Sequence, residues 1–116
     1  DVPLRTATAQ WCNLGALVAG LAQGDFGLIS RSMEDLIVEP VRQWLIPKFE
    51  AVKTASLAAG ALGGGISGAG PSIFMLCKTR RIAEEVENAM QMIYSETDID
   101  FNTYVSEVST SGVRFL

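Results

Sequence analysis

Residues 61–77 constrain the fold more than any other segment, because the spacing of apolar residues changes character there. Gly63-Gly64-Gly65-Ile66-Ser67-Gly68-Ala69-Gly70-Pro71-Ser72 puts five glycines and two serines into ten residues with no helical period. Ile73-Phe74-Met75-Leu76-Cys77 follows as a short, continuous apolar run. Such a run, bounded by turn residues, reads as a buried strand. Leu62–Ser67 is the expected partner strand, with its glycines permitting close backbone approach.

Helical spacing dominates on either side. From Arg5 to Gln23 the stripe is Trp11, Leu14, Val18 and Leu21, with Leu17 and Ala22 beside it. Thr6 or Thr8 is the expected N-cap and Gly24 the left-handed terminator. Asp25 opens a second helix carrying Phe26, Ile29 and Met33, extending through Leu36 and Ile37 to a turn or kink near Glu39, ahead of Pro40. A third helix starts around Pro47 with the stripe Phe49, Val52, Ala55 and Leu57. Arg80–Ser95 is a clean amphipathic helix with Ile82, Val86, Ala89, Met90 and Ile93 on one face and Thr79 as its cap. Phe101–Val108 alternates like a strand, and Val113–Leu116 reads as a terminal edge strand. The resulting expectation is an α+β fold, a mainly antiparallel sheet of about four strands with helices packed on one face.

The chain has 116 residues, of which 48% are hydrophobic and 19% charged, which fits one domain with a packed core and sets disorder aside. Its formal charge of −4 excludes nucleic-acid binding through a basic face. The absence of histidine removes His-based triads, the usual zinc sites and the commonest general base. Cys12 and Cys77 lie in apolar segments without a CxxC partner, so a reducing, cytoplasmic setting is expected over a disulfide framework. No run is long and apolar enough for a membrane span. The opening Asp1-Val2-Pro3 reads as the start of a soluble piece of a longer chain.

Two features carry chemistry. Successive N–H groups in the glycine segment suit phosphate oxygens as a concave nest. The alternative is a tight glycine hairpin against which another element packs, and composition alone leaves both open. Gly63–Gly68 matches GxGxxG formally, but a dinucleotide fingerprint opens a helix, whereas here Pro71 and a strand follow. No Lys-Ser or Lys-Thr closes a Walker loop. The second feature is Glu39-Pro40-Val41-Arg42. A guanidinium beside a proline turn can grip a carboxylate or phosphate through two parallel hydrogen bonds; the plainer alternative is a surface pair between Arg42 and Glu39 or Glu34. Trp11 and Trp44 read as core or interface residues, and Cys77 as a buried, inert thiol.

The stretch Gly64-Gly65-Ile66-Ser67-Gly68-Ala69-Gly70-Pro71-Ser72-Ile73-Phe74 resembles the third motif of the GHMP kinases, the galactokinase, homoserine, mevalonate and phosphomevalonate kinase superfamily. Ile37-Val38-Glu39-Pro40-Val41-Arg42, with Leu45-Ile46-Pro47, resembles the homoserine kinases within it, as does the closing Gly112-Val113-Arg114-Phe115-Leu116. The resemblance runs from about Arg5 to Leu116. It makes residues 1–116 a carboxy-terminal domain of ferredoxin-like type, without the amino-terminal domain and its phosphate loop.

By implication the full enzyme passes the ATP γ-phosphoryl group to L-homoserine in threonine biosynthesis, with ATP and Mg2+ held mainly by that other domain. Arg42 would take the homoserine carboxylate, oriented by Glu39. Gly64, Gly65, Ser67, Gly68, Ala69, Gly70 and Ser72 would form the phosphate-site loop. The resemblance assigns no catalytic or metal-binding residue to this chain and leaves room for a homodimer. Two alternatives stand beside it: another GHMP kinase with a mevalonate-type or sugar-type acceptor, and a non-enzymatic α+β ligand-binding or interaction module.

Overall fold

The computed structural model describes residues 1–115. Helix α1 (Leu4–Gln23) is followed by α2 (Phe26–Ser32), a one-turn helix α3 (Glu39–Arg42), a 3-10 turn (Gln43–Leu45) and α4 (Phe49–Ala58). Strands β1 (Gly63–Ile66) and β2 (Ile73–Leu76) come next, and α5 (Arg80–Ser95) closes the regular structure. The strands pair antiparallel with Gly63 opposite Leu76 and Ile66 opposite Ile73.

The helix ends follow their chemistry. Gly24 terminates α1 in the left-handed region at φ 67°, and the Asp25 carboxylate caps α2 by accepting from the Leu28 N–H. Thr79 caps α5 by accepting from the Ile82 N–H. The start of α1 departs from expectation: Pro3 precedes it without a side-chain cap, and the Thr8 hydroxyl instead donates to the Leu4 carbonyl inside the helix. Helix α2 stops at Ser32, short of Leu36 and Ile37, because a competing acceptor takes over the backbone. Asp35 accepts from the N–H groups of Ile37, Val38 and Glu39, diverting them from a continued helix. Pro40 then sits in the first turn of α3, where its missing N–H costs nothing, so it starts a short helix instead of kinking a long one. Lys48 adopts φ 61°, which delays α4 to Phe49.

The core lies where α4 meets α5 and the strands. Phe49 and Val52 of α4, Val86 of α5, Ile46, Ile29 and Ala61 are its buried apolar members. Ser56 is fully buried with them. Helix α1 is turned the other way from expectation. Its inward side is small, with Gly20 so close to α2 that an added Cβ would stand 3.0 Å from Ile29 Cγ1. The stripe Trp11, Leu14, Val18 and Leu21 faces out, with Trp11 62% exposed. Trp44 is also exposed, so neither tryptophan belongs to this core.

The sheet has two strands among the described residues, not about four. Residues 101–108 and 113–115 join no ladder, and Leu116 lies outside the described residues. The physical reason is where 101–103 finds its partners. Thr103 accepts from Gln91 and donates to Glu87, both on α5, and Phe101 packs on Tyr94 of α5 with ring centroids 5.7 Å apart. A cleft of about 540 Å³ is lined by β2, α5 and this segment.

Candidate functional site

The three glycines of β1 determine what lies on it. Gly63 and Gly65 point to one face, where added Cβ atoms would stand 2.7 Å from Met33 Cβ and 2.7 Å from Glu39 Oε2. Gly64 points to the other, where a Cβ would overlap the Phe74 carbonyl oxygen of β2. The end of α2 and the start of α3 are thereby laid directly on β1, which only glycine permits.

Polar side chains hold the connection from α2 to α3. Gln10 of α1 accepts from the Leu36 N–H, Asn13 of α1 donates to the Glu34 carbonyl, and Asp35 binds the three N–H groups that lead into α3. Glu39 and Arg42 therefore start from a pinned backbone. The Glu39 carboxylate forms an ion pair with Lys53 of α4 through Oε1, while Oε2 is buried without a hydrogen-bond partner. Arg42 is exposed, and its Nη1–H donates to the Ala69 carbonyl at 3.1 Å. It makes no ion pair with Glu39 or Glu34 among the described residues, which corrects the surface-pair alternative. The Glu39 carboxylate is paired with Lys53 and makes no hydrogen bond or ion pair to Arg42 among the described residues.

The loop from Ser67 to Ser72 is an exposed turn. The Ser67 N–H donates to the Ser72 carbonyl at 2.8 Å and the Gly70 N–H to the Ser67 carbonyl at 3.1 Å. Gly68 and Gly70 take φ of 60° and 80°, and the Gly70–Pro71 bond is cis. Gly68 has nothing within 4 Å of a would-be Cβ, so its need for glycine is conformational and not steric. The N–H groups of Gly68 and Ala69 and the hydroxyls of Ser67 and Ser72 make no hydrogen bond among the described residues. Gly64 and Gly65 lie beneath this turn, buried in β1.

The structure thus brings Arg42, Glu39 and the 64–72 segment together. Lys53 and Asp35 were missed. Lys53 follows fully buried Val52 and stands four residues after Phe49, a place where a lysine calls for a partner. An aspartate shortly before a proline turn is the signature of a side chain that caps its own backbone. Cys77 is half-buried, and burial raises its thiol pKa above the ordinary 9.0, consistent with an unreactive thiol. The described residues contain no cluster of three or more potential metal ligands. Among the described residues, no helix is long and apolar enough to cross a membrane.

Helices laid on a glycine strand, beside an exposed glycine turn and a tethered arginine, make up an α+β domain. The chain belongs to the family of GHMP kinase C-terminal domains, whose model, "GHMP kinases C terminal", matches residues 17–95. It is 45% identical over its full length to 36% of the homoserine kinase of Chlorobaculum tepidum. It is 37% identical, again over its full length, to 36% of the homoserine kinase of Xanthomonas campestris pv. campestris. The crystal structure of homoserine kinase from Cytophaga hutchinsonii superposes with a TM-score of 0.90 at 50% identity, covering 93% of this chain and 34% of that one. The chain therefore spans about a third of the length of these relatives.

Proposed function

We propose that this chain is the acceptor-holding, C-terminal third of an ATP-dependent homoserine kinase, a cytoplasmic enzyme of threonine biosynthesis that allows a homodimer. The observation that carries the reading is the Arg42–Ala69 contact. It spends one guanidinium N–H on the Ala69 carbonyl and leaves the others without a hydrogen bond among the described residues, at a turn whose Gly68 and Ala69 N–H groups are also unbonded. A planar fork of that kind suits the carboxylate of a free amino acid, and the turn suits phosphate oxygens. The names borne by the relatives support the same substrate pair.

In the proposed reaction the homoserine hydroxyl oxygen bonds to the γ-phosphorus of ATP, the bond from that phosphorus to the bridging oxygen breaks, and the hydroxyl proton is released. Such transfer depends on positioning and charge stabilisation, so a histidine-free chain can take part. Arg42 holds the carboxylate. Gly68 and Ala69 offer backbone donors, and Ser67 and Ser72 offer hydroxyls, to the phosphoryl oxygens. Gly65 lets α3 lie close enough to bring Arg42 to the turn, Gly64 lets β2 pack tightly on β1, and Gly70 and Pro71 shape the turn's exit. Bound Mg2+ would neutralise phosphate charge, and its ligands and most of the nucleotide contacts are assigned outside this chain.

The test is turnover by the complete gene product with ATP and L-homoserine, mevalonate or galactose as acceptor. Phosphorylation of homoserine with clear preference is expected, and the isolated chain is expected to fold without turnover. Preference for another acceptor, or substantial turnover by the isolated chain, would overturn the assignment.

A further inference from the structure

We propose that Lys53 is a positioning residue that sets Arg42 onto the glycine turn by clamping Glu39 against β1, an inference that rests on the acceptor-holding role of Arg42 proposed above. Lys53 stands on α4, beside fully buried Val52 and within three residues of fully buried Ser56, on a helix that also buries Phe49. Its ammonium is held from two sides, by the Glu39 carboxylate and by the face of buried Phe49, 5.9 Å from the ring centroid. The Lys53 and Glu39 side chains are only 22% and 12% exposed, so solvent screens this pair far less than a surface one. The carboxylate has little room to move, because its other oxygen lies against Gly65, where a Cβ would stand 2.7 Å away.

The consequence runs through α3. That helix is a single turn, Glu39 and Arg42 are three residues apart on it, and residues at that spacing share a helix face. Fixing the Glu39 side chain between Lys53 and Gly65 fixes the rotation of α3 about its own axis. That rotation decides whether the Arg42 guanidinium reaches the Ala69 carbonyl, 27 residues on. Asp35 pins the backbone entering α3, but it binds main-chain N–H groups and leaves the rotation to Glu39. Lys53 thus acts at a distance, without touching the acceptor.

The experiment uses the complete gene product with Lys53→Met, Lys53→Arg, Glu39→Gln and the Glu39→Gln/Lys53→Met double substitution. Steady-state kinetics are measured with each substrate varied, alongside amide hydrogen exchange of residues 36–45, 63–72 and 80–95. Lys53→Met should raise the homoserine KM about ten-fold, a size typical of coupled neighbours, with the ATP KM within about two-fold. It should speed exchange in residues 36–45 and 67–70 and leave α5 unchanged. Lys53→Arg should restore most of the homoserine KM. The double variant, which leaves no buried charge unpaired, should be no worse than either single one.

Equal loss for both substrates, additive effects in the double variant, or exchange that rises equally in α5 would mean that the pair only stabilises the fold, and would overturn the proposal. If the unsubstituted enzyme does not use homoserine, the acceptor assignment fails by itself. Exchange at residues 36–45 and 67–70 then still decides the clamp.

Discussion

Arg42 and Glu39 stand three residues apart, yet they answer to different partners, Arg42 to the Ala69 carbonyl and Glu39 to Lys53. This separation sharpens what Arg42 substitutions should do. Losing a charge-assisted hydrogen bond costs roughly 1.5–3 kcal/mol, so Arg42→Ala should lower kcat/KM for homoserine about ten- to hundred-fold. Arg42→Lys keeps the charge but loses the planar fork and should recover only part of the loss. Kinetics with each substrate varied in turn check this; an equal loss for ATP and homoserine would remove Arg42 from the acceptor site. The sequence made the glutamate and arginine stand out as a motif. It gave no sign of which residue each would meet, because Lys53 and Ala69 are 14 and 27 residues away from their partners.

At the scale of elements, glycines with the same composition value have opposite roles, and the structure orders them. Gly15 lies inside α1 with nothing within 4 Å of an added Cβ, so Gly15→Ala should stabilise the chain by about 0.5–1 kcal/mol through helix propensity. Gly65→Ala forces the clamped Glu39 carboxylate to shift and should destabilise by roughly 1–3 kcal/mol, the cost usual for overpacking. Gly64→Ala should be worse still, since its Cβ meets the Phe74 backbone carbonyl, which cannot move without opening the strand pair. Urea denaturation of the three variants tests the order, and an undiminished Gly64→Ala stability would show that β1 and β2 are not paired this closely. The strand pair and helices α1 and α5 were legible because each follows from period and punctuation within its own segment. The early end of α2 was not, since the apolar spacing runs on to Ile37 while the Asp35 carboxylate takes the backbone N–H groups.

Across the whole molecule, Tyr94 links three parts of the chain. Its hydroxyl donates to the Pro47 carbonyl at 2.8 Å, ahead of α4, and its ring meets Phe101 beyond α5. Burial raises its pKa above the ordinary 10.0, so the folded state favours the neutral phenol. The resulting stability is fully present below about pH 10 and is lost as pH rises through the higher folded value, where the folded state holds the extra proton. Urea melts from pH 7 to 11 should show this decline, and Tyr94→Phe should make it shallower; an identical alkaline slope in the variant would mean that Tyr94 does not contribute. The outward stripe of α1 belongs to the same scale. Trp11, Leu14, Val18 and Leu21 form a continuous apolar face that this domain does not cover, because the small side around Gly20 is what fits against Ile29 of α2.

The sequence by itself determined the helix caps at Asp25 and Thr79, the glycine stop at Gly24, the β1–β2 hairpin and the glycine turn. Each is a local matter of donors, acceptors and backbone freedom within a few residues. It also brought Glu39, Arg42 and the glycine segment forward as one motif set. Only the tertiary structure decided which face of α1 turned inward, because apolar spacing marks a stripe without saying what covers it. Only the tertiary structure, too, kept residues 101–108 out of the sheet: alternation prepares a strand, but a ladder needs a free edge within hydrogen-bonding distance, and Gln91 and Glu87 of α5 hold Thr103 while a cleft opens between β2 and the segment. The pairing of Lys53 with Glu39 was settled in the same way, by the approach of α4 to α3 over a strand of glycines.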